Sequence, residues 1–473
     1  MICRKRRSHC THSLHWLPLL SVALALALPA PAQQALSPQQ QMARDIFEEL
    51  IAIDTTNSSG DTTRAAEAVA KRLRQAGFPA GDVKVLAEKP RKGNLVARLR
   101  GSSNAKPILL LAHLDVVEAK REDWTVEPFK LLERDGYFYG RGTLDDKSMA
   151  AIFITNLIAM KRAGVVPKRD IILALTAEEE GGPDNGVDWL LQTHRDQVDA
   201  EFIINEGGGG RMQEGRYLFN GVQASEKTYA DFELEATDKG GHSSLPTKDN
   251  PIYQLANALT RLEQFQFPVQ LNDVTCTFFE RMAAIEGGET GAAMAAIAKN
   301  PGDTAAAQHL AAIPNHNAQL RTTCVTTRVE AGHANNALPQ RARAIVNCRV
   351  LPGNSVADVR TTLEKVIADD RVKIRVLDEP VPGPSSPLNP ELLKTVTEIT
   401  ESMWPGAAVI PVMSSGASDS RYFRIAGIPA YGVSGIFVEA NDVRAHGRDE
   451  RLGVKQFYDA QVFLDRLVRA LTS

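Results

Sequence analysis

The sequence is poor in cysteine, with five in 473 residues. Two of them, Cys3 and Cys10, precede the first apolar stretch, whereas a bacterial lipoprotein cysteine would have to follow it; lipidation is not indicated. The other three, Cys276, Cys324 and Cys348, are too few and too far apart for a disulfide framework or a thiolate zinc site. Basic residues are not in excess: 54 Lys and Arg stand against 57 Asp and Glu, a formal net charge of -3. A nucleic-acid surface is therefore not expected. Beyond the N-terminal segment there is no second long apolar run, so no membrane-spanning helix is predicted there. With 43% hydrophobic and 23% charged residues, disorder over most of the chain is excluded as well.

The first residues read as an export signal. Arg4, Lys5, Arg6 and Arg7 form a basic start, residues 17–28 an apolar stretch, and Ala30-Pro31-Ala32 a small-residue cleavage site. The apolar stretch is about a dozen residues long, short of the about 20 needed to cross a bilayer. Cleavage after Ala32 and a secreted or periplasmic location are expected, with an uncleaved anchor as the alternative. Cleavage would remove four basic and no acidic side chains, moving the net charge from -3 to -7.

At this length two domains are expected. Apolar residues at helical spacing predict two helices within residues 38–78, separated by a polar break at 55–61. Short apolar runs bounded by turn residues follow at 94–99, 108–112, 171–175 and 202–205, with helical stretches at 149–163 and 187–192. Strands alternating with helices imply an α/β sheet covered on both faces. After Gly221 the pattern changes to strand 229–236, helix 251–263, strands 322–329 and 342–351, helix 356–368 and strand 372–377. This is the split βαβ order of a ferredoxin-like α+β domain. The reading is a leader over 1–32, a first domain over 33–223, an inserted domain over 224–382 and a return to the first domain over 383–473. A segment at 265–320 interrupts the inserted domain, and inserts of that length are usually functional or partner-facing.

Polar residues that carry chemistry gather where the predicted strands end. His113 and Asp115 close the run Leu109-Leu110-Leu111-Ala112, on one face by the period-two rule, at the sheet edge where α/β proteins bind ligands. A metal-bound imidazole usually has its second nitrogen held by a carboxylate or carbonyl, although a lone His-x-Asp pair fits a core or surface histidine equally. Asp145 and Asp146 sit in a glycine-flanked turn before a helix, as metal ligands or as N-caps. Glu178, Glu179 and Glu180 follow the next strand, and Glu206 another. Carboxylates gathered at a sheet end repel one another unless a cation compensates them, so a dinuclear site for zinc, cobalt or manganese is expected. His446, on a loop in the returning region, offers a further imidazole. The glycine run Gly207-Gly208-Gly209-Gly210 lacks a following Gly-Lys-Ser or Gly-Lys-Thr, which argues against a nucleotide site.

The motifs Leu111-Ala112-His113-Leu114-Asp115, Gly140-Arg141-Gly142 with Asp145 and Lys147, the glutamate pair before glycines, Asn205-Glu206-Gly207 and Ala445-His446-Gly447 resemble those of the M20 metallopeptidase and aminoacylase family in order and spacing. The resemblance covers the whole chain after residue 32. It implies a zinc-peptidase-like catalytic domain with an inserted lid and dimerisation domain. It assigns His113 and Glu206 to one metal, Glu179 and His446 to the other, and Asp145 to the bridge. Glu178 matches the general base, Asp115 the carboxylate that orients His113, and His242 in Gly240-Gly241-His242-Ser243-Ser244 the oxyanion donor, often supplied across a homodimer. Asn336, Arg349, Ser415 and Gly416 match substrate-facing positions. The implied reaction is hydrolysis of an amide or peptide bond beside a free carboxylate, in a peptide, dipeptide or N-acyl amino acid. The long insert is most like that of the carboxypeptidase S and N-acyl-amino-acid hydrolase branch, where it would cover or replace the usual dimer interface. A binding protein that kept the fold without its chemistry is the rival reading. Finally, the midpoint of Cys324 and Cys348 falls at position 336, in the proposed hairpin turn, so the two are expected to face each other across paired strands, bridged or as free thiols.

Overall fold

The computed structural model describes residues 35–181, 184–378 and 380–473; the expected leader and its cleavage site lie outside them. The main sheet is built on the strands Ile108–His113 and Ile171–Thr176, buried along their whole length. That is why both read as unbroken apolar runs: strands covered on both faces have no polar side to show. They pair in parallel, with His113 opposite Thr176, and Phe202–Asn205 pairs in parallel on the other side of Ile108–His113. Three chain ends therefore emerge together at one sheet edge. Val83–Ala87 and Gly93–Leu99 extend the sheet beyond Ile171–Thr176. Ala430–Gly432, Arg216–Glu226, Gly209–Gln213 and Phe437–Glu439 extend it on the other side, and Ala408–Ser414 runs parallel to Arg216–Glu226. Helix Lys147–Arg162 is buried on nearly every side, packed against helices Pro38–Ala52 and Val454–Leu471.

The second sheet has the order Thr323–Ala331, Arg341–Val350, Thr228–Thr237, Val372–Leu377, with every neighbouring pair antiparallel. Helices Pro251–Gln264 and Val356–Ile367 cover one face around Phe232, Leu234, Val346 and Leu363. This is the predicted split βαβ arrangement, with element ends within a few residues of the expected ones. Lys227 alone separates strand Arg216–Glu226 of the first sheet from strand Thr228–Thr237 of the second. Its buried ammonium donates to the Arg321 carbonyl at 2.7 Å and to Thr323 Oγ1 at 3.3 Å, while its N–H donates to the Ser414 carbonyl at 2.9 Å. Burial, and then the nearby Arg349, push the Lys227 amine down to about 7.

The segment 265–320 packs on the first sheet. It folds into helices Asp273–Glu286, Gly288–Lys299, Thr304–Ala311 and Pro314–Leu320. Phe279, Met294, Ile297 and Leu310 of this set share a core with Ile410 of strand Ala408–Ser414. The insert thus enlarges the core of the first sheet. Its alanine-rich composition suits that role, because small side chains let helices approach closely. At Gly291 a Cβ would lie 2.4 Å from the Ala283 carbonyl oxygen.

Cys324 and Cys348 stand directly opposite each other on strands Thr323–Ala331 and Arg341–Val350 and form a disulfide; Cys276 is free. The bridge closes a 24-residue separation and fixes the edge strand to its neighbour. Replacing both cysteines by alanine should lower the unfolding free energy by about 2–4 kcal/mol, measured by denaturant titration. Mapping under non-reducing conditions should find Cys276 as the free thiol of this region, and two further thiols there would contradict the pairing.

Candidate active site

Asp145 is the centre of the site. Its Oδ1 lies 3.0 Å from His113 Nε2 and its Oδ2 3.1 Å from His446 Nε2, so one carboxylate joins two imidazoles brought from positions 113 and 446. Around this axis are two further acidic groupings. His446 Nε2 is 2.8 Å from Glu180 Oε1, and His113 Nε2 is 3.9 Å from Glu206 Oε2. Ligand atoms of His113, Asp145 and Glu180 lie within 4.8 Å of one another, as do those of His113, Glu179 and Glu206. The peptide bond between Asp145 and Asp146 is cis. Asp146 occupies the N-cap position of helix Lys147–Arg162, but neither aspartate side chain caps it.

The His113 ring is oriented from behind by Asp115, through its backbone carbonyl at 3.0 Å from Nδ1, with the carboxylate oxygen Oδ1 at 3.7 Å. The Asp115 carboxylate instead accepts from the Glu180 N–H at 2.9 Å, so it orients the glutamate turn as well as the histidine.

The three consecutive glutamates divide differently from the family-implied assignment. Glu178 takes a positive φ of 64°, and its buried carboxylate forms an ion pair with Lys92. Neighbours hold the turn: Asn94 Oδ1 accepts from the Ala177 N–H at 2.9 Å, and Asn185 Nδ2 donates to the Glu178 carbonyl at 3.2 Å. Glu179 and Glu180 are the two that face His113, Glu206, Asp145 and His446. Glu180 was not singled out from the sequence, although counting back from Gly181 marks Glu179 and Glu180 as the pair that directly precedes the glycines.

A second missed residue is Glu450. Fully buried, it accepts from the N–H groups of Leu144 (2.6 Å), Asp145 (3.1 Å) and Gly142 (3.1 Å), and from Arg141 Nη1 (2.6 Å). Arg141 Nη2 in turn donates to the Gly447 carbonyl at 3.1 Å and the His446 carbonyl at 3.4 Å. One buried ion pair therefore holds the Asp145 turn and the His446 loop in register. Lys147 locks the turn from beneath, donating to the Leu50 and Ile53 carbonyls at 2.9 and 2.8 Å; burial pushes its amine down to about 7.

The electrostatics are those of an anionic cluster in need of cations. Withdrawal from water, then the charges of neighbouring acids, raise Glu179 and Glu206 well above the usual carboxylate range. Burial acts to lower His113, but its hydrogen bond to Asp145 and the charge of Glu206 outweigh that and raise it. His446 is pushed up to about 10, first by Asp145 and then by Glu180. Buried oxygens of Asp115 and Asp146 lack hydrogen-bond partners. Two imidazoles with the shared Asp145 carboxylate and those of Glu180 and Glu206, and Glu179 beside them, fit a pair of divalent cations.

Of the remaining predicted residues, Arg349 lines the cleft beside the cluster. Arg349, on the second sheet, stacks over the Tyr229 ring at 4.7 Å and donates to the Ser415 carbonyl at 3.2 Å. The Gly416 N–H is taken by Ser414 Oγ at 3.0 Å. A cleft of about 560 Å³ joins Glu179 and Glu180 with Tyr229, Arg349, Leu377 and Arg421. His242 is exposed and touches none of the acidic cluster among the described residues. It lies in a two-strand ribbon opposite Ala337, with Ser243 N–H donating to the Asn336 carbonyl at 3.1 Å. The two second-sheet motifs are thus one unit.

Parallel strands that end in a His, Asp and Glu cluster, in a chain that also carries a second, antiparallel sheet, are the arrangement of a metal-dependent hydrolase. Residues 109–470 match the model of peptidase family M20/M25/M40, and the chain belongs to that family: it is an enzyme that hydrolyses amide bonds. The human N-fatty-acyl-amino acid synthase/hydrolase PM20D1 is 33% identical over 385 residues, covering 78% of this chain and 75% of that protein. A probable carboxypeptidase S-like 2 of Dictyostelium discoideum is 29% identical over 392 residues, covering 80% and 74%. Among solved structures, an M20 family metallo-carboxypeptidase from Sulfolobus solfataricus superposes with a TM-score of 0.68 at 18% identity, covering 90% of this chain and 98% of that one.

If Glu450 and Arg141 hold the two halves of the site together, then Glu450→Gln should weaken metal retention by about 10- to 100-fold without unfolding the chain. Metal titration of the stripped protein checks this, and parent-like affinity in Glu450→Gln would contradict it.

Proposed function

We propose that the protein hydrolyses N-acyl amino acids with two divalent cations, zinc by the donor set and cobalt or manganese as substitutes. The observation that carries the reading is the Asp145 carboxylate shared between His113 and His446. His113, Asp145 and Glu206 would hold one ion, and Asp145, Glu180 and His446 the other. When bound, the ions polarise the scissile carbonyl and lower the pKa of water.

The chain's own residues supply the proton transfers and the positioning. Glu179, beside His113 and Glu206 and not engaged by a lysine, takes the proton from water and delivers it to the leaving nitrogen. Glu178 is ill placed for this, because Lys92 holds its carboxylate. His242 Nδ1 accepts from the Ser244 N–H at 3.2 Å, so the neutral ring carries its proton on Nε2, ready to donate to a developing oxyanion. That donation requires closure of the second sheet or a second copy of the chain. The guanidinium groups of Arg349 and Arg421 suit the free carboxylate, and Tyr229, Leu377 and Val381 in the same cleft suit an apolar acyl group. The relatives' names favour an N-acyl amino acid over a dipeptide. Export to an oxidising compartment is part of the proposal, supported by the N-terminal basic and apolar segments and by the Cys324–Cys348 bridge.

Three single substitutions test the assignment. Glu179→Gln should keep its metal and lose roughly 10²- to 10⁴-fold in kcat. Glu180→Gln should lose metal, whereas Glu178→Gln should disturb neither by a comparable factor. Near-normal turnover in Glu179→Gln refutes the base assignment. On a panel of N-acyl amino acids, dipeptides and longer peptides, the highest kcat/KM should fall on the first class; chelation should abolish activity and added divalent metal restore it.

A further inference from the structure

A groove of about 540 Å³ runs beside the Cys324–Cys348 bridge, within the roughly 300–1,000 Å³ of small-molecule sites. It shares no lining residue with the catalytic cleft. Leu259 and Leu262 of helix Pro251–Gln264 line it, with Phe265 and Phe267 beyond that helix; all four are half-buried. Val346 and Leu363 from the buried core of the second sheet line it as well. The first strand residues Thr323–Thr326 form the remaining side.

Among these apolar groups stands Arg321, whose residue is only 7% exposed. Its Nη1 donates to Gln266 Oε1 at 2.7 Å, and its buried Nε has no partner. No carboxylate among the described residues pairs with it. The adjoining Lys227, which donates to the Arg321 carbonyl, is likewise buried without an acidic partner. Glu263, which also lines the groove, is exposed and pairs with neither cation. A buried guanidinium without a counter-anion is unfavourable, and it is matched best by a planar carboxylate.

We propose that this groove binds a long-chain fatty acid, with its alkyl chain on Leu259, Leu262, Phe265 and Phe267 and its carboxylate on Arg321. The hydrocarbon covers apolar surface that the fold leaves half-buried, and the single negative charge answers the unpaired guanidinium. The inference stands apart from the hydrolase reading, since failure of either leaves the other untouched.

The test uses the full metal-loaded chain and a photoreactive C16 fatty acid, followed by peptide mapping. Crosslinks are expected in residues 259–267 and 321–326. Palmitate should compete at least tenfold better than hexadecanol, and each methylene added from C8 upward should strengthen competition by about fourfold at most. Arg321→Met should reduce labelling at least tenfold while hydrolysis stays within twofold of the parent, and Arg321→Lys should retain part of the binding. Thr326→Trp, which fills the groove from the edge strand, should block labelling and covers the case in which Arg321→Met fails to fold. Labelling confined to cleft residues 229–231 and 417–421, equal competition by hexadecanol, or parent-like labelling of both Arg321→Met and Thr326→Trp would overturn the proposal. So would a dimer of this chain that buries the groove and excludes the probe.

Discussion

The repulsion among carboxylates brought to one edge of the first sheet is the constraint on which the site's surroundings depend. Asp145, Glu179, Glu180 and Glu206 approach within a few ångströms of His113 and His446, and left to themselves they would splay into solvent. They are held by groups that are not themselves in the cluster. Asp115 fixes the Glu180 backbone, Asn94 and Asn185 fix the turn before it, and Glu450 fixes the Asp145 backbone. Each is a hydrogen bond to main chain, so the strain of crowding is borne by the scaffold, leaving the side-chain oxygens to converge on cations. Preorganisation of this kind makes a metal site selective and keeps its ligands in place between turnovers.

Much of this was legible in the sequence because α/β topology forces it. Apolar runs that stop at His113, Thr176 and Asn205 become parallel neighbours, and the residues just beyond each run must meet at one edge. The second sheet was equally readable, since period-two alternation at 229–236 and 342–351 and clean helical spacing at 251–263 leave few other pairings. The division of labour among Glu178, Glu179 and Glu180 was not. It turns on one backbone angle, the positive φ of Glu178, which sends that side chain to Lys92 and the next two into the site. Nothing in a run of identical residues encodes that choice; the partners Lys92, Asn94 and Asn185 are distant in sequence. Glu450 was hidden for a related reason, since its neighbour Asp449 pairs with Thr125 near the surface and only tertiary contact separates their roles.

The segment 265–320 shows how composition alone can mislead. An insert of that length reads as functional or partner-facing, yet its small side chains let four helices share one core, which helix Asp273–Glu286 joins to strand Ala408–Ser414. The insert thickens the first sheet at its far strands and so supports the region from which residues 414–421 reach the cleft. It contributes Arg321 as well, immediately after its last helix, and so carries a buried cation to the seam between the two sheets.

The two sheets are joined in a way that bears on turnover. One covalent link is the single residue Lys227, gripped by the Arg321 carbonyl, Thr323 and Ser414. The inserted helices, packed on the first sheet, add two more crossings where the chain enters and leaves them, and the proline-rich stretch 380–387 is a fourth. Across the cleft itself, Arg349 reaches Ser415 by one hydrogen bond of 3.2 Å, a partly solvated contact worth about 0.5–1.5 kcal/mol. A contact this weak leaves Arg349 with much to gain from a substrate carboxylate. On the proposed function, Arg349 would exchange the neutral Ser415 carbonyl for a charged substrate oxygen, a stronger partner.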